Sequence, residues 1–178
     1  MTSNTRTLLA GLLAGGLLMT QLTGGALSQG TANAEQIATF KAWTAWKDSD
    51  NTGTVCFISS QPQSSEPGNV NRSPIFFLVI HRKGMGTKNE VQTLIGYPFN
   101  TTNSNASATI DGKTFQMVTD GEGAWLADIK NENSFVEAMK AGSTLVVKGT
   151  SQRGTNTTDT YSLGGVTAAM QEIDKACA

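Results

Sequence analysis

Apolar positions along the chain fall into short runs separated by polar, Gly-rich breaks, and several runs alternate with period two. Ile75–Arg82 (IFFLVIHR) opens after Pro74 with six successive apolar residues, which predicts a strand buried on both faces. Glu90–Tyr97 follows a Lys/Gly turn and reads as its antiparallel neighbour. Ala108–Ile110 and Lys113–Thr119 flank Asp111-Gly112, a pair that favours a tight hairpin because both residues accept positive φ. Phe115 and Met117 alternate with Gln116, so one face of this hairpin is wet. Ala124–Ile129 supplies a further strand with Trp125 as its expected core anchor. Thr144–Lys148 and Asp159–Leu163 enclose a polar Gly/Thr/Arg loop.

The start of the pattern is ambiguous. In Glu35–Asp48, the residues Ile37, Phe40, Trp43 and Trp46 recur every third position, which fits a helix face. The Thr and aromatic content favours a strand from about Ala38, with Trp43 and Trp46 on opposite faces. A turn at Asp48–Gly53 then leads to a strand at Thr54–Ser59, and Gln61–Ser73 reads as a loop. Two helical stripes remain. One is Phe135–Ala141, capped by Asn133 or Ser134 and followed by Gly142; the other is Ala168–Cys177, capped by Thr167. About eight to ten short strands with turns between them give a mainly β fold. The architecture expected is an immunoglobulin-like or related antiparallel β-sandwich with one short internal helix and a C-terminal helix.

Residues 1–34 stand apart from this pattern. Arg6 is their only charge, Leu8–Met19 is apolar with three glycines, and the stretch ends Ala32-Asn33-Ala34. A basic start, a short apolar run and small residues at −3 and −1 describe a secretory signal peptide cut between Ala34 and Glu35. The run is shorter than the roughly 20 apolar residues that span a bilayer. No cysteine follows it to carry a lipid. Residues 35–178 are then one domain, exported to the periplasm or beyond, with no transmembrane segment in the mature chain.

Composition narrows the function. The chain has 13 Lys and Arg against 14 Asp and Glu, so no basic surplus points to nucleic acid. Its two cysteines, Cys56 and Cys177, are expected to form one disulfide in an oxidising compartment, closing a loop of about 120 residues. The alternative is two buried free thiols.

Candidate chemistry is sparse. Asp48, Asp50 and Gly53 match the opening of a calcium loop, but Ser59 stands where its last acid belongs, and a solvated turn is the simpler reading. Gly149 and Gly154 have phosphate-loop spacing with Thr155 in place of the lysine. The single histidine, His81, ends the most apolar strand without a recognisable partner, and no serine sits in a nucleophile elbow. No catalytic, cofactor-binding or metal-binding residue is assigned, and no cofactor is expected. What remains is the loop Lys148–Asp159. There Arg153, with Asp159 and Tyr161 following, either presents a donor fork to a carboxylate, a sugar or a partner protein, or pairs with Asp159 to brace a hairpin.

The order FKAWTAWK, VCFISSQP, RSPIFFLVIHR, EVQTLIGYPF, IDGKTFQM, GAWLADI, KGTSQRGT, DTYSLGG and KAC resembles the invasion-associated locus B family of alphaproteobacteria, over nearly all of the mature chain. The resemblance implies a small exported protein, periplasmic or envelope-associated, with a β-sandwich core and no established catalytic residues. It also implies a role in binding or envelope support, which in some members is linked to host-cell invasion or virulence. Many members have additional cysteines; with only Cys56 and Cys177, this chain has no second bridge. The partner implied is a protein or a glycan. A carbohydrate- or peptide-binding module using Lys148–Asp159, or exposed aromatics such as Tyr97, is the alternative, and an unrecognised hydrolase is a third reading.

Overall fold

The computed structural model describes residues 34–178; the expected leader, apart from Ala34, lies outside the described residues. The strands are β1 (Glu35–Phe40), β2 (Trp43–Asp50), β3 (Gly53–Ser60), β4 (Ser64–Glu66), β5 (Phe76–Arg82), β6 (Thr87–Leu94), β7 (Ser107–Ile110), β8 (Lys113–Asp120), β9 (Gly123–Leu126), β10 (Thr144–Thr150) and β11 (Asn156–Ser162). Helix α1 (Glu132–Ala141) lies between β9 and β10, and α2 (Val166–Ala176) follows β11. This is the mainly β, sandwich-type arrangement with one internal and one C-terminal helix that the sequence predicts.

Every pairing is antiparallel, in the order β1-β2-β3-β5-β6-β9-β8-β7-β10-β11-β4. The two layers are halves of this one sheet, and β8 belongs to both. Its residues Lys113–Gln116 pair with β7, while Met117–Asp120 pair with β9. The fold back is sealed across the core. Phe77 of β5 meets Tyr161 of β11 edge-on at 5.9 Å and stacks on Phe135 of α1 at 5.8 Å. The Trp43 indole N–H on β2 donates to the Ser162 carbonyl of β11 at 2.8 Å.

Period-two alternation selects what enters that core. Trp43 and Ala45, Cys56 and Ile58, Phe77 and Val79, Leu145 and Val147 are all buried. Each large side chain so placed is worth about 1.5–3 kcal/mol of transfer free energy. Helix α2 packs on β1, β2 and β3 through Val166, Ala169, Met170 and Ile173, a stripe at helical spacing. A disulfide from Cys177 to Cys56 of β3 holds its C-terminal end, with the Cα atoms 6.0 Å apart.

Several expectations are corrected. The Glu35–Asp48 stretch is two strands, not one, because Lys41 takes φ 54° and turns the chain. Trp43 and Trp46 do lie on opposite faces, the latter stacking on Phe57 at 6.1 Å. The loop after Ser60 contains β4, a three-residue edge strand on β11. Trp125 is half-buried on the outer face, its ring lying over Gly123, while Ala124 and Leu126 fill the core. Strand β5 buries one face completely and the other only in part. Neither helix has the side-chain cap expected. Helix α1 begins at Glu132, and the Ser134 hydroxyl instead donates to the Asn131 carbonyl; α2 starts after Gly165 at φ 105°.

The cross-link spans 121 residues, so it removes much of the freedom of the unfolded chain. Reduction, or Cys56→Ser, is expected to lower unfolding free energy by about 4 kcal/mol. Urea denaturation with and without reductant measures this; coincident midpoints would show that the bridge contributes nothing.

Candidate functional site

The residues singled out in Lys148–Asp159 separate once the chain folds. Asp159 and Tyr161 point inward from β11 and are fully buried, whereas Arg153 is exposed at the turn between β10 and β11. Asp159 therefore does not pair with Arg153. Its partner is Arg72, from the loop before β5, in a two-pronged contact: Nη1 donates to Oδ1 at 2.7 Å and Nη2 to Oδ2 at 2.6 Å. Nε and Nη2 of Arg72 also donate to the Ile95 carbonyl, at 2.9 and 2.5 Å. Four of its five N–H groups are thus engaged within the protein.

Above this pair lies a groove of about 840 Å³, within the range of ligand sites. Its walls come from three segments: residues 70–73, the β8–β9 turn with Glu122, and the β10–β11 turn with Gln152, Arg153 and Thr155. All three are tied to Ile95–Phe99. The Ser73 amide donates to the Gly96 carbonyl at 2.9 Å, the Ile95 amide to Glu122 at 3.0 Å, the Phe99 amide to Gly121 at 2.9 Å, and the Gln152 amide to Pro98 at 2.8 Å. The approach at the first wall is close enough to need glycine: Gly96 has φ 78°, and a Cβ there would lie 2.3 Å from the Ser73 oxygen. The Arg153 turn is also closed internally, the Gly154 amide donating to Ser151 at 2.8 Å and the Ser151 amide to Thr155 at 2.9 Å.

Tyr97 forms the aromatic part of the groove. The Arg72 guanidinium lies 5.0 Å from its ring centre, Phe99 meets it edge-on at 5.6 Å, and its hydroxyl bonds Thr157 Oγ1 at 2.7 Å. Burial raises the Tyr97 pKa, against the lowering effect of the Thr157 bond and of Arg72. Burial, and then the Asp159 charge, raise that of Tyr161 further. Among the described residues the buried Tyr161 hydroxyl has no hydrogen-bond partner of good geometry, although the Thr93 hydroxyl near it acts to lower its pKa against burial. At the rim, neither Arg153 nor Glu122 forms an ion pair or side-chain hydrogen bond among the described residues.

His81 lies elsewhere. It is buried on β5, opposite Cys56 in the strand register. Nδ1 accepts from the Asn89 amide at 3.1 Å, so Nε2 carries the proton and donates to Asp174 of α2 at 3.0 Å. Both ring nitrogens are occupied and the nearest sulfur is in the disulfide, so no base or nucleophile is free there. Asp50 is a turn cap: its Oδ1 accepts from the Thr52 hydroxyl and amide, which together hold its pKa below the usual carboxylate range. Among the described residues no group of three His, Cys, Asp or Glu side chains is placed to hold a metal ion. Among the same residues no helix is long and apolar enough to cross a membrane.

Of the groove residues, the sequence singles out Arg153 and Tyr97, offers Glu122 only as a solvated turn carboxylate beside Asp120, and gives no motif for Arg72. One signal was available for Arg72. An aspartate at an inward position of an alternating strand needs a buried cation, and Asp159 sits in phase with Tyr161.

A disulfide-stapled antiparallel sandwich with a polar groove at the end of its sheet is therefore the class of protein defined here. The model of the invasion associated locus B (IalB) protein family matches residues 43–174, and the chain belongs to that family. The crystal structure of invasion associated protein B from Bartonella henselae is similar over 80% of this chain and 96% of that one, at 16% identity and a TM-score of 0.52, a likeness of fold. No curated protein matches the chain.

Two outcomes follow from the buried groups. Arg72→Met leaves the Asp159 carboxylate buried and unpaired, so it is expected to cost about 3–5 kcal/mol, with Asp159→Leu added to it recovering most of the loss. Additive losses in urea denaturation would refute that coupling. Tyr161→Phe deletes an unpartnered hydroxyl and should be neutral or stabilising at pH ~7. The fold keeps this phenol un-ionised, so its contribution is intact below the unfolded pKa of about 10 and falls as pH rises through it. The Phe variant should lose less stability than the parent between pH ~10 and ~11.5, and equal slopes in alkaline melts would contradict this.

Proposed function

We propose that this family member is a non-enzymatic envelope protein, exported with its leader cut between Ala34 and Glu35. Residues 35–178 then form the one domain delivered to the periplasm or released. Its work is binding, and the groove at Arg153 is the binding surface. The observation that carries this reading is the contrast between the two arginines of the groove. Arg72 has spent its donors on Asp159 and Ile95, whereas Arg153 stands unpaired on a turn held by backbone hydrogen bonds. An unpaired, exposed guanidinium with a fixed base is suited to recognition.

Support for export comes from the disulfide, which persists in oxidising compartments, and from the family. The absence of enzymatic activity is supported by the saturated His81 ring and by Cys56 being held in the bridge. The neighbour from Bartonella henselae is named as invasion associated, which brings host-cell interaction into the proposal. Its partner would be a host or envelope protein, or a glycan.

Glycan and peptide arrays probed with the oxidised protein are expected to give hits that Arg153→Ala abolishes without shifting the melting temperature. Arrays lacking any Arg153-dependent hit would overturn the binding reading. Recovery of the protein in native cells as a cytoplasmic, leader-bearing chain would overturn export.

A further inference from the structure

We propose that the groove takes an extended peptide segment carrying one acidic and one basic side chain, an inference that rests on the binding reading above. The argument starts from which groups are available. Arg72 is 5% exposed and already neutralised by Asp159, so the floor offers an incoming anion little net charge. The charges that remain free are Arg153 and Glu122, on two different turns of the same groove. They form no salt bridge with each other. A ligand of one sign would gain at one turn and be repelled at the other. A ligand with both signs gains at both.

The backbone that carries these charges is preset. The Glu122 turn hangs from Ile95 and Phe99, and the Arg153 turn hangs from Pro98, so both are anchored to one five-residue segment by backbone hydrogen bonds. A site whose turns are already placed asks little ordering of its backbone on binding. In the same lining, Asn71 and Gln152 offer amides and Ser73 and Thr155 offer hydroxyls, the donor and acceptor set that peptide groups need. Sugar recognition would use an open aromatic face. Tyr97 does not present one freely, because Arg72 lies over its ring, Phe99 meets it edge-on and Thr157 holds its hydroxyl. The chemistry of the groove therefore favours a mixed-charge peptide over a glycan or a simple anion.

The test uses the oxidised protein and fluorescein-labelled short peptides on a Gly/Ser background, bearing Lys and Glu together, Lys alone, Glu alone, or neither, beside a panel of neutral and acidic glycans. Mixed-charge peptides are expected to bind about tenfold more tightly than either single-charge series. Arg153→Glu and Glu122→Lys should each remove that advantage, with melting temperatures unchanged because both side chains are exposed. The double variant carrying both reversals should regain it for one order of Lys and Glu along the peptide, the order opposite to that preferred by the parent. If Glu-only peptides or acidic glycans bind as well as mixed ones, and Glu122→Lys tightens them, the ligand class is wrong while the groove stands as a binding site. If no probe binds in an Arg153-dependent way, the groove reading falls with it.

Discussion

The groove depends on a buried ion pair. Arg72 reaches from an irregular loop into the space between the layers, meets the carboxylate of Asp159 on β11, and takes the Ile95 carbonyl with its remaining edge. Burying a guanidinium and a carboxylate together is expensive, and their attraction offsets that cost only when the remaining donors are also satisfied. Here they are. The pair fixes three pieces of chain that secondary structure alone would leave independent: the loop before β5, the segment after β6, and the middle of β11. Because that segment also carries the backbone bonds to the β8–β9 and β10–β11 turns, the geometry of the rim follows from the geometry of the floor.

The opposite end of the sheet is held differently. Strands β1, β2 and β3 lie under α2, with the disulfide joining β3 to the end of that helix and the Asp174–His81 bond joining the helix to β5. A single folded sheet has two edges, at β1 and β4, and each is managed locally. The register of β1 against β2 shifts between Gln36 and Ala38, and β4 is only three residues long. Irregular and short edges offer a poor template for pairing with another chain.

Much of this was legible in the sequence, and the failures share a cause. The β5–β6 and β7–β8 hairpins were readable because alternation and turn chemistry agree there, as with Asp111 at φ 43° and Gly112 at φ 92°. The disulfide followed from there being two cysteines. Trp125 was misplaced because alternation gives phase but not direction, and the small Ala124 rather than the large indole takes the inward side. Strand β4 was invisible since Ser64–Glu66 has no apolar signal and exists only through its hydrogen bonds to β11. The caps expected at Thr167 and Asn133 are missing because both residues lie inside the helices, which start at Val166 and Glu132. At the site, Arg153 stood out by its turn, but its partnership with Asp159 was a guess from proximity along the chain. Asp159 instead found its cation 87 residues earlier.

That displacement separates the charges of the groove into a paired floor and an unpaired rim. The buried polar groups are largely engaged: four of the five Arg72 N–H groups with Asp159 and Ile95, and the two nitrogens of His81 with Asn89 and Asp174. Such groups position backbone. Reactivity needs an accessible unsatisfied group, and His81 and Cys56 are both committed while the Tyr161 phenol lies fully buried. Recognition requires less, an unsatisfied group in a fixed place at the surface. Arg153 and Glu122 meet that condition because their turns are held by main-chain bonds that do not involve their side chains. The rim residues can thus change without loosening the floor, because the stability of the groove rests on what lies beneath the two turns.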